Sequence, residues 1–354
     1  MGAETMKAHL KDAGKSALRT IGVDWYHLLH RREARKCLQN ISADTGVPSK
    51  EYLKLCDEYA QDIFKSKDYA PWLYVYTAIA REFREGWIPD NYYGKVVVPR
   101  IAGEYGRVSG LKPLQQILFH SPACPDVLAF VNGVYFVPGT SEVISDNIVE
   151  YLFRENEKIV FKLDGSLQGK AVYVFTKQSF SLEKVEKLGN GVFQSFIVQH
   201  ASLSDFPSAA VSTLRLTTVL NASGSPSLRA SYLRFGAADD THVSSKTHIR
   251  VPINSHTGET EGVGYTPGWK QIRCYPDSDI SFSNFKYPKF TKACALVLAL
   301  HKNVPFVHSI GWDVCVNSEQ EVKLMEWNAG HNDIKFSEAT QGPCFHDLGW
   351  EKFV

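Results

Sequence analysis

The pattern of apolar and polar residues predicts two adjacent strands near the C-terminus, Gly311–Val314 and Leu324–Asn328. Apolar residues dominate both segments, and a polar turn at 317–321 separates them. Three oxygen-bearing side chains interrupt this pattern: Asp313, Glu326 and Asn328. Glu326 and Asn328 are two positions apart, so they share a strand face that Asp313 can join from the neighbouring strand. A single strand carboxylate would more simply be a solvated residue, but two carboxylates and an amide oxygen in apolar strands favour a Mg²⁺ site.

Elsewhere the pattern predicts helices first and strands later. Helical spacing of apolar residues indicates a helical N-terminal region, with a helix start at Ser49 and later helices over 71–84, 144–156 and 288–301. The predicted strands are 159–162, 171–175, 196–199, 213–220 and 228–235, with a further hairpin in 130–137 across Asn132-Gly133. This order predicts an α+β chain with antiparallel strands rather than a regular βαβ alternation.

A glycine-rich segment from Lys162 to Lys170 is the second chemical signal. Its glycines let the backbone approach phosphates, and its two lysines supply positive charge. It is not a P-loop, because only three residues separate Gly165 from Gly169 and because the segment leads into a strand instead of a helix. The segment therefore predicts a strand-loop-strand flap over a nucleotide. The alternative is an ordinary glycine hairpin.

Composition excludes several other classes of protein. Among 354 residues, 39 Lys and Arg balance 38 Asp and Glu, so no overall positive field exists to hold a nucleic acid. No apolar run approaches the roughly 20 residues of a membrane span, and residues 1–20 lack the apolar centre of a signal peptide. The seven cysteines form no C-x-x-C pair. We therefore expect reduced thiols in a cytoplasmic protein that binds no nucleic acid.

Taken together, these segments resemble an ATP-grasp enzyme over residues 110–341. The resemblance rests on Phe161–Ser166, a hinge strand at Val198–Ala201, an arginine strand at Ser212–Leu216, Gly311–Val314, and Glu326–Asn328. The order and spacing resemble D-alanine–D-alanine ligases, glutathione synthetases and α-L-glutamate ligases. More narrowly, the chain resembles the sugar-transfer-associated, glutamate-ligase-related ATP-grasp group. The resemblance implies an α+β ATP-grasp fold, in which two lobes sandwich ATP, preceded by a helical N-terminal region.

The resemblance also suggests a division of the chain into four segments. These are a helical region at 1–95, a linking segment at 96–155, a small lobe with the glycine flap at 156–204, and a large lobe with the metal site at 205–354.

Roles for individual residues follow from the same resemblance. Lys162 would contact the α- and β-phosphates of ATP. The flap residues would cover the β- and γ-phosphates: Gly165, Ser166, Gly169 and Lys170. The adenine and ribose would be held by Gln199, His200, Ala201 and Asp205. Arg215 and Lys170 would act on the transferred phosphoryl group. Asp313, Glu326 and Asn328 would hold two Mg²⁺ ions.

The acceptor side of the site is less well defined by the resemblance. Many relatives carry a Gly-Gly pair where this chain has only Gly258, and Lys112 is a candidate for the first nucleotide-binding lysine of relatives. Candidates for binding a substrate carboxylate are Arg234, Arg250, His331, Asn332 and Lys335.

The implied chemistry is ATP-dependent ligation of an acid to an amine through an acyl-phosphate. The resemblance suggests small-molecule substrates, such as a carboxylated sugar or nucleotide sugar and an amino acid or amine, in surface-polysaccharide synthesis. The absence of Ser-His-Asp and Cys-His signatures agrees with a reaction that needs no protein nucleophile. Two alternatives stay open: a kinase that phosphorylates a hydroxyl group on the same scaffold, and a non-catalytic nucleotide-binding module.

Overall fold

A computed structural model describes residues 24–165, 171–208, 210–236 and 247–353 of the chain. The described chain forms two compact units. Residues 24–97 and 333–353 make a helical unit, and Val98–Asn332 make a unit that contains two antiparallel sheets. In the described residues, no helix combines the length and the apolar character that a membrane crossing requires.

The helical unit consists of α-helices joined by short 3₁₀ and π turns. Its α-helices are α1 Trp25–Thr45, α2 Lys50–Phe64, α3 Ala70–Ala80, α4 Asp90–Tyr92 and α11 Lys335–Gln341. The shorter turns are Lys67–Tyr69, Tyr93–Val97 and Trp350–Lys352. As predicted, Ser49 caps α2, and its side chain accepts a hydrogen bond from the backbone of Tyr52. Large buried rings such as Trp72, Tyr76 and Trp87 form the core of this unit.

A five-stranded antiparallel sheet opens the second unit. Its strands are β1 Asp126–Val131, β2 Val134–Phe136, β3 Lys158–Leu163, β4 Val172–Thr176 and β5 Gly191–Ser195, in the order β2-β1-β5-β3-β4. Accompanying helices are α5 Val98–Ile101, α6 Leu114–Phe119, α7 Ile148–Phe153 and α8 Leu182–Leu188, with a 3₁₀ helix at Gly103–Gly110. Asn132 and Gly133 both have positive φ, so the predicted hairpin turn between β1 and β2 is confirmed.

A seven-stranded antiparallel sheet follows. Its strands are β6 Thr213–Leu220, β7 Pro226–Phe235, β8 Ile249–Pro252, β9 Gly264–Tyr265, β10 Gln271–Ile272, β11 Ser309–Val316 and β12 Val322–Asn328. They are ordered β10-β9-β8-β7-β6-β11-β12. The short helix α9 Ala201–Ser204 precedes this sheet, and α10 Phe290–His301 precedes β11.

One face of the seven-stranded sheet forms one of two apolar cores in the second unit, and the five-stranded sheet forms the other. Trp312 and Trp327 are cross-strand partners, and their rings stack with centroids 6.3 Å apart. Leu216 and Val297 of α10 belong to the same buried cluster. Strand residues alternate between faces, so the neighbours of these apolar residues lie on the opposite face of the sheet. That alternation determines where the polar residues of β6, β11 and β12 lie.

Most of the predicted elements are confirmed, with one clear error among the strands. The predicted strand at 196–199 is wrong: the strand is Gly191–Ser195, and Phe196 and Val198 are exposed. Gly191 permits this pairing, because a Cβ there would lie 2.3 Å from the carbonyl oxygen of Lys162 on β3.

The observed units also differ from the four predicted segments. β1 and β2 belong to the same sheet as β3, and 333–353 belong to the helical unit rather than to the unit with β11 and β12. A division into four segments stays a prediction. Residues 1–23, 166–170, 209, 237–246 and 354 lie outside the described residues, including the predicted flap residues Ser166, Gly169 and Lys170.

We expect Gly258→Ala to destabilise the protein more than Gly224→Ala does. Both glycines have φ of +77°, so alanine at either position adds strain of about 1–2 kcal/mol. At Gly258, however, the new Cβ would lie 2.5 Å from Cγ of Phe290, whereas nothing lies within 4 Å at Gly224. Overpacking should cost about a further 1–3 kcal/mol in urea unfolding. Equal losses for the two variants would contradict the packing around Phe290.

Candidate active site

The second face of the seven-stranded sheet carries a row of charged residues in register. Asp313 on β11 lies directly opposite Glu326 on β12 and, on its other side, directly opposite Arg215 on β6. Asn328 lies opposite Gly311, two residues from Asp313. Directly opposed residues in antiparallel strands project to the same face. The structure therefore brings the predicted metal trio and the predicted arginine onto one surface, which we call the polar face.

Asp313 is held by two arginines. Its Oδ1 accepts hydrogen bonds from Nε of Arg215 at 2.6 Å and from Nη1 of Arg234 at 2.9 Å. Its Oδ2 accepts from Nη2 of Arg215 and from Nη1 of Arg234, each at 3.0 Å. Burial alone would raise the pKa of Asp313, but the charges and hydrogen bonds of Arg215 and Arg234 outweigh it and hold the pKa at about 2.

Two lysines reach the other end of the polar face. Nζ of Lys112 donates to the carboxylate of Glu326, and Nζ of Lys162 donates to the carbonyl oxygen of Met325 at 3.0 Å. A register shift between Asp313 and Val314 leaves Met325 without a direct partner on β11, as in a β-bulge. Burial lowers the pKa of Lys162, and the nearby Glu326 partly opposes that effect. A phosphate at this position would favour the charged lysine.

The three predicted ligands, Asp313, Glu326 and Asn328, carry the carboxylate and amide oxygens that Mg²⁺ prefers. Asn328 uses its Nδ2 to donate to the Gly311 carbonyl at 3.4 Å, which leaves the amide oxygen as the end that can bind a cation. Glu326 is partly exposed, whereas both oxygens of Asp313 already accept two hydrogen bonds each. Within the described residues, no group of three His, Cys, Asp or Glu side chains could hold a metal. Because the arginines already occupy both oxygens of Asp313, a cation there would compete with Arg215 and Arg234.

Asp164 and Gly165, at the start of the predicted glycine flap, are held next to Lys112. The backbone N–H of Gly165 donates to the Gly110 carbonyl at 2.8 Å, and the Asp164 carboxylate accepts from the backbone N–H of Lys112 at 2.8 Å. Gly165 has φ of +61°, a conformation that glycine adopts without strain. The flap therefore starts beside one of the two lysines of the polar face. The residues around Lys112 in the sequence do not identify it as the partner of Glu326, which lies far along the chain.

The predicted adenine hinge connects the two sheets. The backbone N–H of His200 donates to the Val316 carbonyl, and the Val198 carbonyl accepts from Ser318. These bonds flank the bridge between Gln199 and Asn317, so the backbone N–H and C=O of Gln199 point away from β11, as a nucleobase edge would require. Ala201 begins α9, and Asp205 is exposed just after it. The roles of Gln199, His200, Ala201 and Asp205 stay predictions.

The five predicted substrate residues have different surroundings. Arg234 on β7 joins the polar face through its contact with Asp313. Arg250 on β8 is the cross-strand partner of Arg234, and the Arg250 guanidinium lies 4.7 Å from the ring centroid of Trp269. Asn332 is buried, and its carbonyl accepts from Nη1 of Arg215 at 3.1 Å. His331 is exposed.

Lys335 belongs to the helical unit, where carboxylates surround its ammonium group. Its Nζ lies 2.6 Å from Asp333, 3.5 Å from Asp90 and 3.6 Å from Glu33. Burial alone would lower the pKa of Lys335, but these carboxylates raise it well above its usual value. Its contacts favour a structural role within that unit.

The sequence profile of the sugar-transfer associated ATP-grasp family matches residues 168–347, which is half of the chain. The chain therefore belongs to this family of ATP-grasp enzymes. The predicted family and the predicted α+β ATP-grasp fold with a helical N-terminal region are confirmed. A comparison with curated protein sequences gave no match.

Several solved structures show distant similarity. The D-alanine-D-alanine ligase from Coxiella burnetii is 11% identical with a TM-score of 0.40, over 70% of this chain and 58% of that chain. The ATP-grasp ligase PsnB, complexed with a phosphomimetic variant of minimal precursor, Mg and ADP, is 11% identical with a TM-score of 0.38, over 71% and 62%. N5-carboxyaminoimidazole ribonucleotide synthetase from Thermotoga maritima is 8% identical with a TM-score of 0.36, over 64% and 44%. The chain spans less than two thirds of the length of each.

We expect Asp313→Asn to destabilise the protein by about 3–5 kcal/mol at pH 7, because two buried guanidinium groups lose their counter-charge. The folded-state pKa of about 2 lies below the usual 3.8, so Asp313 stabilises the fold above pH 4 and that contribution is lost as the pH falls towards 2. The difference in unfolding free energy between wild type and variant should therefore narrow by about 2 kcal/mol between pH 4 and pH 2.

Urea unfolding from pH 7 to pH 2 measures this difference in stability. Glu259→Gln is the control, because Glu259 forms an exposed ion pair with Lys286 and its loss should change stability by less than about 0.5 kcal/mol. A difference in stability that does not change with pH would contradict the stabilisation of ionised Asp313 by Arg215 and Arg234.

Proposed function

We infer that the protein is an ATP-dependent carboxylate–amine ligase that forms an amide through an acyl-phosphate. The observation that supports this inference most is the polar face itself. Asp313, Glu326 and Asn328 lie in register beside Arg215, with Lys112 and Lys162 at the other end. Positive charge exceeds negative charge on this face, as the binding of a polyphosphate requires.

Each part of the nucleotide has a set of residues of suitable chemistry. Lys112 and Lys162 would neutralise the phosphates, and the flap would cover them: Gly165, Ser166, Gly169 and Lys170. The backbone edge at Gln199 would bind the adenine, with His200, Ala201 and Asp205 close to it in the chain. Asp313, Glu326 and Asn328 would hold Mg²⁺, whether one ion or two. The metal would supply further neutralisation of phosphate charge.

The chemical steps need positioning and charge neutralisation rather than a protein nucleophile. An oxygen of the acid's carboxylate attacks the γ-phosphorus of ATP, and ADP leaves. The amine nitrogen then attacks the acyl carbon of the acyl-phosphate, inorganic phosphate leaves, and the nitrogen loses a proton to give the amide. Arg215 and Arg234 would stabilise the negative charge that develops on the transferred phosphoryl group, because both guanidinium groups already reach the same carboxylate.

The substrates are proposed from the family alone. Its description as sugar-transfer associated supports a carboxylated sugar, or a nucleotide sugar, as the acid, with an amino acid or amine as the partner, in surface-polysaccharide synthesis. The arginines Arg234 and Arg250 on β7 and β8 provide positive charge for an acidic substrate on the side of the polar face away from the two lysines.

We expect the protein to form a hydroxamate and ADP when it is incubated with MgATP, a suitable carboxylic acid and hydroxylamine. The hydroxylamine intercepts the acyl-phosphate in place of the amine. Colorimetric detection of the hydroxamate and a coupled ADP assay measure the two products across a panel of uronic and amino acids. A stable phosphorylated compound without hydroxamate would show a kinase instead. MgATP binding without any turnover across the panel would contradict the ligase reaction.

We expect Lys112→Met to reduce kcat/KM for MgATP by about 10²–10³-fold, as is typical when a charge-stabilising group is removed. Lys286→Met is the matched control, since both lysines pair with a glutamate but the Lys286–Glu259 pair is exposed and lies on no element of the polar face. ADP release measures activity, and thermal unfolding shows whether both variants are folded. An equal effect of the two substitutions would contradict the role of Lys112.

A further inference from the structure

Two buried polar atoms on neighbouring strands have no hydrogen-bond partner among the described residues. They are Oγ1 of Thr213 on β6 and Nε of Arg234 on β7. The two residues are direct cross-strand partners, and Thr213 is only 6% exposed. Buried polar groups are nearly always paired, because an unpaired one loses its hydration without compensation. Two such groups side by side indicate a place for a ligand.

The path of the Arg234 side chain places its Nε over β6. Its Nη1 contacts Asp313 on β11, and β6 lies between β7 and β11 in the sheet. The side chain must therefore cross β6, the strand that carries Thr213 and Arg215 on the polar face. Thr213 and Arg215 are two residues apart, so their side chains share this face. The two atoms without partners thus lie next to the guanidinium of Arg215.

The chemistry of these two groups defines the ligand. An arginine Nε–H is only a donor, and a threonine hydroxyl can donate, so a ligand that satisfies both must accept hydrogen bonds. Arg215 and Arg234 both direct their guanidinium groups at the carboxylate of Asp313, so two positively charged groups lie beside this place. A hydrogen-bond acceptor that also carries negative charge is an oxyanion.

We propose that Thr213 Oγ1 and Arg234 Nε form an oxyanion subsite that binds the carboxylate of the acid substrate next to Arg215. The hydrogen bonds fix one carboxylate oxygen, so that the other is presented for phosphorylation. Phosphate oxygens have the same chemistry, and the subsite can also hold a phosphoryl group. The assignment to an acid substrate rests on the proposed ligase function, whereas the binding of an oxyanion does not.

Thr213→Val tests the subsite, because valine keeps the shape of threonine and removes only the hydroxyl. We expect the ligand-free variant to be at least as stable as the wild type in thermal unfolding, since the hydroxyl has no partner to lose. We expect its affinity for an oxyanion to fall about tenfold or more, the usual effect of losing a hydrogen bond to a charged group. Loss of stability without loss of affinity would show that the hydroxyl is structural, and would overturn the proposal.

Two further variants make the comparison specific. Ser212→Ala removes a neighbouring buried hydroxyl that also has no partner among the described residues, and it should leave oxyanion affinity unchanged. Thr213→Ser retains the hydroxyl and should keep affinity within about threefold of the wild type. Equal losses in Thr213→Val and Ser212→Ala would overturn the subsite.

Isothermal titration in the presence of MgADP measures the binding, with inorganic phosphate and glucuronate as separate probes. Weaker binding of both probes by Thr213→Val supports the subsite for oxyanions in general. Weaker binding of glucuronate alone assigns the subsite to the carboxylate of the acid substrate. Weaker binding of phosphate alone overturns that assignment. Binding of neither probe by the wild type overturns the subsite but leaves the ligase reaction standing. Thr213-dependent binding without hydroxamate formation supports the subsite and contradicts the ligase reaction.

Discussion

The arrangement of the polar face depends on one buried carboxylate. Asp313 lies on β11 of the seven-stranded sheet, in register with Arg215 on one side and Glu326 on the other. It also accepts hydrogen bonds from Arg234, which lies two strands away. Charges buried in this way are stable only as a matched group. The group fixes the positions of two guanidinium groups on the same face as Glu326 and Asn328. The same carboxylate is thus the partner of the arginines and a candidate metal ligand.

Much of this arrangement is predictable from local sequence. The apolar runs around Asp313 and Glu326 identify both strands and the polar turn between them, and the spacing of Glu326 and Asn328 gives their shared face. Arg215 is recognisable because it lies in the middle of an apolar strand with a clear hairpin partner. These features are local, whereas the bulge at Met325, which places Glu326 opposite Asp313, is not set by the turn.

Other features depend on contacts between distant parts of the chain. Lys112 lies far from Glu326 in sequence, and nothing around it marks the contact. The position of β5 depends on the close approach of Gly191 to β3. Apolar content does not reveal this contact and instead favours the more apolar segment 196–199, which is not a strand. Lys335 follows β12 in sequence but forms its ion pairs with residues of the helical unit, because the chain changes units at Asp333.

A crystal structure of the complex with MgADP tests the central claim most directly. The account predicts the diphosphate against Lys112 and Lys162, and Mg²⁺ coordinated by oxygens of Asp313, Glu326 and Asn328. It also predicts that Arg215 or Arg234 gives up hydrogen bonds to Asp313. A nucleotide bound elsewhere, with both arginines still fully paired to Asp313 and no metal on the polar face, would contradict it.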